Sequence, residues 1–387
     1  MNTRSKRSGA KDPLGAPPPG VLRKRATEDK GVKETEFKLM NTWEAEHIPN
    51  DMPFEERKKK LASICDLSKQ PFPSDSCTEL TSMTAYEEFS VIFVWFLLFS
   101  LMLYGPFVVL WFLYYKLEIG LALVGAGVAI AMLPAKFNAA ICFSRIATLN
   151  LKYFSYRAVW KTTLPPDRPF ICLTPPHGLF PIGGILGIFA MPRFTGFFGH
   201  GIAATAVLSV PIFGNLLRYL GCIDATRGNC TRCLEGGGSL GISSGGIAEI
   251  FETNTINGAS RKETIILKSR GGICKLALQN GVDIVPGYLF GNSTGFSVVY
   301  DSFGFMQWLS RTLRVSLCFF YGRFFLPIPY RIPVLAVFDA PVRVERITEP
   351  SREQVQELLD EVIRRTRVLF DTHKACYGWE DVELVIK

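Results

Sequence analysis

A long apolar stretch without a charged residue, Phe89–Tyr115, constrains the fold of this chain more than any other feature. A helix needs about 20 apolar residues to cross the roughly 30 Å hydrocarbon core of a bilayer. Lys116 and Glu118 interrupt the apolar sequence, and a second segment rich in glycine and alanine, Ile119–Ala135, follows. Small residues of this kind let membrane helices pack closely. Together the two segments predict a hydrophobic hairpin that makes the protein integral to a membrane.

Basic residues on both sides of the hairpin predict its orientation. The segment that precedes it contains Arg23-Lys24-Arg25, and the segment that follows contains Lys136, Arg145, Lys152, Arg157 and Lys161. Positively charged flanks mark the cytosolic side, so both ends of the hairpin are expected in the cytosol. Two spanning helices, the first kinked at Gly105-Pro106, fit this pattern, and so does a re-entrant hairpin that turns at Gly105-Pro106.

Composition favours an enzyme with few membrane segments. Of the 387 residues 48% are hydrophobic and 30 are phenylalanine, which is high for a soluble enzyme but low for a transporter with many spans. The net charge of +8 is modest, and the basic residues gather beside the apolar region. This pattern suits an anionic membrane surface better than nucleic acid, for which no binding motif occurs.

The ten cysteines predict free thiols and a catalytic part that faces the reducing cytosol. Cys230 and Cys233 form one CxxC pair, but no second pair or nearby histidine completes a zinc site. The glycines of Gly236–Gly241 match a dinucleotide-binding pattern, yet they precede an apparent strand instead of following one. We therefore expect neither a metal nor a nicotinamide or flavin cofactor.

Composition also divides the chain into three parts. Residues 1–86 are polar and predict a largely disordered cytosolic tail, with a short surface helix at Phe54–Leu67. Residues 87–136 form the hairpin. From 137 to 387, short β-rich runs alternate with amphipathic helices, which favours an α/β layer fold. The expected strands are Phe170–Leu173, Ser239–Ile242, Thr264–Leu267, Asp283–Tyr288 and Leu335–Phe338 with Val342–Val344. The expected helices are Gly246–Glu252, Gly272–Gln279, Phe305–Thr312 and Arg352–Lys374, the last capped by Ser351 and Gln354.

The clearest candidate for a catalytic site is Phe170–Gly184, FICLTPPHGLFPIGG. A short apolar run stops at Pro175-Pro176, because proline cannot donate to a sheet ladder. His177 and Gly178 follow at this strand end, where the prolines fix the backbone and the glycine lets a substrate approach closely. His177 is either a catalytic base or a structural, hydrogen-bonded histidine.

A second candidate, Ser239–Glu252, reads as a strand, a glycine turn at Gly245-Gly246 and a helix with Glu249 in its first turn. Amides at the start of a helix can hold an anion or a developing oxyanion. Glu249 can orient and stabilise a neighbouring imidazole, or it can simply favour the helix N-terminus electrostatically.

Three basic residues complete the candidates. Arg270 and Lys275 flank glycines before a helix, and they either hold the phosphates of an acyl-CoA or an interfacial phospholipid, or lie on a solvated helix face. Arg323 lies in the apolar sequence CFFYGRFFLPIPY and needs a partner there, whether a carboxylate, a backbone carbonyl or a phosphate.

In this order, these stretches resemble the type-2 diacylglycerol acyltransferase family, which includes monoacylglycerol acyltransferases and some wax synthases. The resemblance extends from about Tyr153 to Gly378. The matching residues are Pro176-His177-Gly178, Ser239–Ile242, Gly245–Glu249, Leu267, Arg270, Gly272, Lys275-Leu276-Ala277, Gly281, Val285-Pro286, Gly322-Arg323, His373-Lys374 and Tyr377-Gly378.

The resemblance implies a membrane-anchored, acyltransferase-like layer fold at the endoplasmic reticulum membrane and lipid droplets. It implies acyl-CoA as co-substrate and diacylglycerol or a similar alcohol as acceptor, with no other cofactor. The family's catalytic histidine corresponds to His177, and its conserved glutamate corresponds to Glu249. Two positions depart from the family pattern: Pro175 replaces the first histidine of the common animal motif, and Gly271 replaces a basic residue. The HxxxxD pattern of soluble glycerolipid acyltransferases is absent, because Ile182 occupies its last position.

The expected mechanism uses His177 to deprotonate the acceptor hydroxyl, which attacks the acyl-CoA thioester. Glu249 stabilises the imidazolium, and amides near Gly178 or Gly245-Gly246 stabilise the oxyanion. The expected substrate-binding residues are Pro176, Gly245, Gly246, Arg270, Lys275 and Arg323. The apolar stretches Leu179–Met191 and Cys318–Tyr330 face the bilayer, line an acyl channel or pack in the core.

Alternatives remain at the level of sequence. The acceptor can be monoacylglycerol, a long-chain alcohol or a lysophospholipid, and a non-catalytic lipid-droplet protein derived from such an enzyme is a further reading. Membrane lipids, acyl-CoA and diacylglycerol are the expected partners, and whether the chain forms a homo-oligomer is open.

Overall fold

The α/β alternation expected after the hairpin is present in the structure, a computed structural model. The described residues are 38–41, 56, 77–160, 168–195, 199–251, 261–299, 303–313 and 318–387. Nearly all of the expected tail and of the expected helix Phe54–Leu67 lies outside them. The residues from Phe37 to Lys387 form one compact unit.

The strands and helices are numbered here in chain order. The strands are β1 (Lys38–Asn41), β2 (Arg157–Trp160), β3 (Phe170–Leu173), β4 (Gly199–Ala203), β5 (Ile223–Asp224), β6 (Ser239–Ile242), β7 (Lys262–Ile265), β8 (Asp283–Phe290), β9 (Ser297–Val298), β10 (Phe320–Tyr321), β11 (Leu335–Phe338) and β12 (Glu383–Ile386). The helices are α1 (Ala85–Tyr115), α2 (Leu117–Met132), α3 (Arg145–Tyr153), α4 (Ile182–Thr195), α5 (Thr205–Leu208), α6 (Phe213–Tyr219), α7 (Arg227–Glu235), α8 (Ile247–Ile250), α9 (Gly271–Asn280), α10 (Phe305–Leu313) and α11 (Arg352–His373), and 3-10 turns occur at Ala139–Phe143, Asn292–Thr294 and Arg323–Phe325.

A mixed sheet of eight strands forms the centre of the described chain, in the order β1-β2-β11-β8-β3-β6-β4-β5. The run β8-β3-β6-β4-β5 is parallel throughout, whereas β11 is antiparallel to β8 and β1 is antiparallel to β2. Two smaller pairs, β9 with β10 and β7 with β12, lie outside this sheet. Parallel neighbours bring their carboxyl ends to one edge of the sheet, where ligand sites of α/β folds are formed.

Local patterns predicted several elements well. The strands β3, β6 and β11 have the expected bounds, and α11 begins with the expected capping box of Ser351 and Gln354. The strand β8 extends to Phe290 and is buried along its whole length, since β3 and β11 flank it. The strand β1 differs from expectation, because it lies within the segment expected as a tail and pairs with β2.

The sheet is covered on both faces. Along β3, Ile171 and Leu173 pack into one apolar cluster with α7, α9 and α11. Phe170 and Cys172 pack into another cluster with α1, α3 and α4. Successive side chains of a strand point to opposite faces, so a run of apolar residues such as β3 serves two layers at once.

The expected hairpin is formed by α1 and α2. The helix α1 is long and apolar enough to span a membrane by length and composition. It continues through Gly105-Pro106, and the chain reverses at Lys116. The chain therefore does not turn at Gly105-Pro106, and the prediction of a re-entrant hairpin with its turn there is wrong. At Gly120, α2 packs so closely on α1 that a Cβ would lie 2.6 Å from the backbone nitrogen of Leu113.

One side of α1 packs on the α/β part of the chain, residues 137–387, which contains the candidate catalytic residues. Val91, Trp95 and Phe99 are buried at helical spacing, and the indole N–H of Trp95 donates to Oδ1 of Asn150 at 2.8 Å. Most of the other large apolar side chains of α1 are exposed. This two-sided pattern distinguishes α1 both from a core helix and from a free tether.

Candidate active site

The expected site residues meet at the carboxyl edge of three adjacent parallel strands, β8, β3 and β6. His177 follows β3, Glu249 lies in α8 after β6, and Asn292 follows β8. The topology of the sheet therefore brings together residues that are far apart in sequence. The first two were expected, and the third was not singled out.

His177 has the environment of a neutral base. Its ring is half-buried, and its Nδ1–H donates to the carbonyl of Gly178 at 2.9 Å. Because a carbonyl can only accept, the proton lies on Nδ1 and the lone pair lies on Nε2. Burial lowers the pKa of His177, the hydrogen bond to Gly178 opposes this effect, and the charge of Arg270 lowers the pKa further. The imidazole is therefore neutral near pH 7.

Glu249 binds the main chain of the loop that contains His177, residues 174–181 between β3 and α4, which is called the histidine loop below. Its carboxyl group is fully buried; Oε2 accepts the backbone N–H of His177, and Oε1 accepts the backbone N–H of Ile266 at 3.0 Å. Burial raises the pKa of Glu249 to about 7, while these N–H donors and the charge of Arg270 oppose the shift. The hydrogen bond between the two expected catalytic residues thus involves the histidine backbone rather than its ring, whose proton is directed to Gly178.

Gly245 and Gly246 make room for this carboxyl group. A Cβ on Gly245 would lie 2.0 Å from Oε2 of Glu249, so no larger residue fits without displacing the carboxylate. Gly246 has a φ of +57°, in the left-handed region that favours glycine. The glycines expected to bind substrate are thus needed first for the turn that places Glu249.

Arg270 stabilises the same turn by a hydrogen bond. Its Nη2 donates to the carbonyl of Gly245 at 2.7 Å, and its charge acts on both His177 and Glu249. Lys275 is exposed on α9. The two basic residues that were expected to act together therefore have different environments.

Arg323 has a carboxylate partner at the start of α1. It forms an ion pair with Glu88, which also binds Arg331 with a separation of 3.2 Å between Nη1 and Oε2. The sequence left a carboxylate, a carbonyl or a phosphate open for this arginine, and the structure assigns the carboxylate. Arg323 thus joins the start of α1 to the α/β part of the chain.

Asn292 is the site residue that sequence reasoning missed. It is almost fully buried, and its Nδ2 donates to the carbonyls of Pro176 at 2.9 Å and His177 at 2.8 Å. Its Oδ1 accepts the backbone N–H of Gly183 at 2.7 Å, so one amide fixes both sides of the loop. Gly178 lies against it with a φ of +63°, and a Cβ there would be 3.0 Å from the carbonyl oxygen of Asn292. A polar residue immediately after a buried strand and a glycine was the available signal.

A second buried carboxyl group, Glu263, lies behind the loop. Its Oε2 accepts the hydroxyl of Ser293 at 3.1 Å, and the hydroxyl of Tyr288 also acts on the carboxyl group. Burial raises the pKa of Glu263 to about 8, and the charge of Glu249 contributes to the shift. Two buried carboxyl groups that affect each other are thus placed close to the histidine.

The donor set does not resemble a metal centre. No group of His, Cys, Asp and Glu side chains in the described part of the chain is arranged to hold a metal ion. Cys230 and Cys233 are free thiols one turn apart in α7, and burial raises the pKa of each. The residues that do converge are a neutral imidazole, backbone amides, an arginine and buried carboxyl groups, which suit proton transfer.

Comparison with known proteins agrees with this chemistry. A sequence model described as diacylglycerol acyltransferase matches residues 136–387. The chain is 28% identical over 250 residues to acyl-CoA wax alcohol acyltransferase 2 of Homo sapiens, covering 60% of this chain and 73% of that protein. It is 27% identical over 252 residues to diacylglycerol O-acyltransferase 2 of Xenopus tropicalis, covering 60% and 68%. The same identity and length relate it to 2-acylglycerol O-acyltransferase 1 of Bos taurus, covering 60% and 74%.

Among solved structures, the 1-acyl-sn-glycerophosphate acyltransferase PlsC of Thermotoga maritima aligns with a TM-score of 0.38 and 15% identity, over 75% of this chain and 98% of that one. The family match is the stronger finding, because it covers most of the chain and includes the strands and loops that carry His177, Glu249 and Asn292. The chain therefore belongs to the diacylglycerol acyltransferase family and is an acyltransferase.

Proposed function

We propose that this acyltransferase is a membrane-bound acyl-CoA:diacylglycerol O-acyltransferase that makes triacylglycerol, with His177 as its general base. The observation that carries the proposal is the neutral imidazole at the carboxyl edge of the sheet, with Nδ1 fixed by Gly178 and Nε2 left to accept a proton. A general base must be unprotonated and held in one orientation, and this histidine meets both requirements.

In the proposed reaction, Nε2 of His177 takes the proton of the acceptor hydroxyl as its oxygen bonds to the thioester carbonyl carbon. The carbon–sulfur bond then breaks, and the coenzyme A thiolate takes the proton from the imidazolium, which restores the neutral base. Backbone amides at Gly245-Gly246 are the proposed donors to the oxyanion, because the amides of His177 and Gly178 donate to Glu249. Glu249 and Asn292 act as positioning residues through the loop, and no covalent enzyme intermediate is required.

The relatives support more than one acceptor. Their names include a diacylglycerol, a wax alcohol and a 2-acylglycerol acyltransferase, all at similar identity to this chain. These acceptors share a hydroxyl group on an apolar molecule, so the proposed base serves each of them. Monoacylglycerol or a long-chain alcohol is therefore the second candidate acceptor.

We propose that the hairpin of α1 and α2 holds the enzyme in the endoplasmic reticulum membrane or on lipid droplets, with the catalytic part in the cytosol. The 16 residues of α2 reach about 24 Å, which is less than the roughly 30 Å hydrocarbon core and favours insertion from one side. In the stretch Cys318–Tyr330, Phe324 and Phe325 are 64% and 83% exposed, which supports contact with lipid. From Leu179–Met191, by contrast, Leu186 and Ala190 are buried.

The test uses microsomes from cells that lack endogenous neutral-lipid synthesis. They express the wild type, His177→Ala or the matched control His200→Ala, in which the altered histidine is half-buried on β4 with its Nδ1 2.8 Å from the Gly221 carbonyl. Labelled acyl-CoA is supplied with diacylglycerol, monoacylglycerol, a fatty alcohol or a lysophospholipid. We expect labelled triacylglycerol from the wild type and the control, and at least a hundredfold less from His177→Ala, the usual contribution of a general base.

If the label appeared in another product and was lost in His177→Ala, His177 would still be the base, but the acceptor would not be diacylglycerol. Equal activity of His177→Ala at equal protein level would contradict the role of His177. No product from any acceptor, with the protein inserted in the membrane, would instead support the reading as a non-catalytic lipid-droplet protein.

A further inference from the structure

A cavity of about 330 Å³ lies beside the candidate active site. It is formed where β4 and β6 end and where α9 begins. Its polar lining comes from Ser243, Ser244, Ser269, Arg270 and Gly272, and isoleucines line the remainder. Among the described residues, no acidic side chain lines the cavity, and Arg270 is the charged side chain in its lining. Nothing in the proposed proton transfer uses these hydroxyl groups.

Ser244 indicates that the cavity has a ligand. Its side chain is 6% exposed, and its Oγ has no hydrogen-bond partner in the described part of the chain. A buried hydroxyl group without a partner is destabilising, so native structures rarely retain one. A ligand oxygen in the cavity would give this hydroxyl the acceptor that it lacks.

Arg270 and α9 add donors on the other side of the cavity. The guanidinium is held by the bond from Nη2 to Gly245, while its buried Nε has no partner among the described residues. The helix α9 has 10 residues and begins at Gly271, and Gly272 lines the cavity. The first N–H groups of a helix lack acceptors within the helix, and the dipole favours negative charge there.

We propose that this cavity is a phosphate-binding subsite of the acyltransferase. Hydroxyl, guanidinium and helix amide donors around one cavity are the set that binds a phosphate group, because each phosphate oxygen accepts several hydrogen bonds. The proposal rests on the proposed function and deepens it. The phosphate belongs either to the coenzyme A part of the donor or to a phosphorylated lipid, and both sources offer the same chemistry.

Occupancy of this subsite would also act on the base. The charge of Arg270 lowers the pKa of His177, and a phosphate beside Arg270 offsets part of that charge. The imidazole then becomes a stronger base when the subsite is filled. Proton transfer to His177 is therefore more favourable when the ligand is bound than when the cavity is empty.

The experiment measures binding by the purified full-length protein in lipid nanodiscs, so that it does not depend on turnover. The probes are S-hexadecyl-CoA, which is an unreactive thioether, S-hexadecyl-pantetheine, which lacks phosphate, and lysophosphatidic acid. The variants are Ser244→Asp, which places a negative charge in the cavity, Ser244→Ala, which removes only the hydroxyl, and the exposed control Ser209→Asp. We expect Ser244→Asp to weaken the binding of S-hexadecyl-CoA at least tenfold and Ser244→Ala to weaken it by a few fold. The binding of S-hexadecyl-pantetheine should stay unchanged in both variants.

The outcomes separate the two sources and the two proposals. Weaker binding of lysophosphatidic acid alone would also support the subsite and assign it to a lipid phosphate. Unchanged binding of all three probes, or equal weakening of the probes with and without phosphate, would overturn the subsite. Ser244→Ala retains this test if Ser244→Asp does not fold. Because no turnover is needed, a lack of acyltransferase activity in the microsomes would count against the proposed function and not against the subsite.

Discussion

Two glutamate side chains without exposed surface, Glu249 and Glu263, lie behind the His177 loop. Burial raises the pKa of the first to about 7 and of the second to about 8, against an ordinary value of 4.5. The like charge of Glu249 adds to the shift of Glu263. Near pH 7 Glu263 is therefore mainly a neutral acid, which removes a repulsive charge from behind Glu249.

This protonation has a consequence for stability. Between about pH 4.5 and pH 8 the folded state keeps a proton on Glu263 that the unfolded state releases, so the free energy of unfolding falls as pH rises. One such group contributes a slope of up to about 1.4 kcal/mol per pH unit. We expect Glu263→Gln, which mimics the neutral acid, to reduce this slope and to unfold at a higher temperature than the wild type above pH 8.

Thermal unfolding in detergent micelles from pH 5 to pH 9 measures the effect. The exposed Glu357, changed to Gln on α11, is the control and should leave the pH dependence as in the wild type. An identical slope for Glu263→Gln and the wild type would show that Glu263 does not carry the extra proton.

At the scale of elements, α1 and α2 make one close backbone contact at Gly120. A Cβ at Gly120 would lie 2.6 Å from the backbone nitrogen of Leu113, whereas a Cβ at Gly125 would meet nothing within 4 Å. Both glycines belong to α2, so they share helix propensity and differ in packing. Small residues at such contacts let the two backbones approach.

We expect Gly120→Ala to destabilise the hairpin by about 1–3 kcal/mol, because the added methyl group meets backbone that cannot move aside cheaply. Gly125→Ala should be neutral or stabilise by about 0.5–1 kcal/mol, since alanine favours a helix. Denaturant unfolding of both variants in micelles measures the difference. Equal midpoints would mean that the helices do not pack at Gly120.

For the whole molecule, α1 is part of the catalytic body as well as the proposed anchor. The ring of Phe99 contacts Phe180 and Phe296, with centroid separations of 5.1 and 5.3 Å. The ion pair of Glu88 with Arg323 fixes the start of the same helix. The position of the active site relative to the apolar helix α1 is therefore set by direct packing and not by a flexible link.

Two phenylalanines of α1 test this arrangement. Phe99 is 3% exposed and Phe93 is 53% exposed. We expect Phe99→Ala to lose about 3–5 kcal/mol of stability and most of the folded enzyme, as for a buried aromatic side chain. Phe93→Ala should keep the melting temperature and activity of the wild type. If both variants behaved alike in thermal unfolding, α1 would act only as a tether.

Structure that depends on residues close together in the sequence could be predicted, whereas structure that depends on contacts between distant residues could not. The strands β3, β6 and β11 were predicted because apolar residues and flanking prolines or glycines act locally. The strand β1 was not, because its partner β2 is distant in the chain and its pairing is by backbone. Asn292 was missed for a similar reason: its role consists of bonds to Pro176, His177 and Gly183, which only the adjacency of β8 and β3 supplies.

The sequence by itself determined the hydrophobic hairpin and the α/β layers, since these follow from hydrophobic periodicity and turn residues. The association of His177 with Glu249 was expected from the family resemblance, which rests on the ordered motifs. Only the tertiary structure decided that Glu249 binds the backbone of His177, that Arg323 binds Glu88 and that Ser244 and Arg270 line one cavity. The physical reason is that burial, hydrogen-bond partners and pKa shifts depend on which strand ends are adjacent. That order is set by the packing of the whole sheet and not by any single stretch of chain.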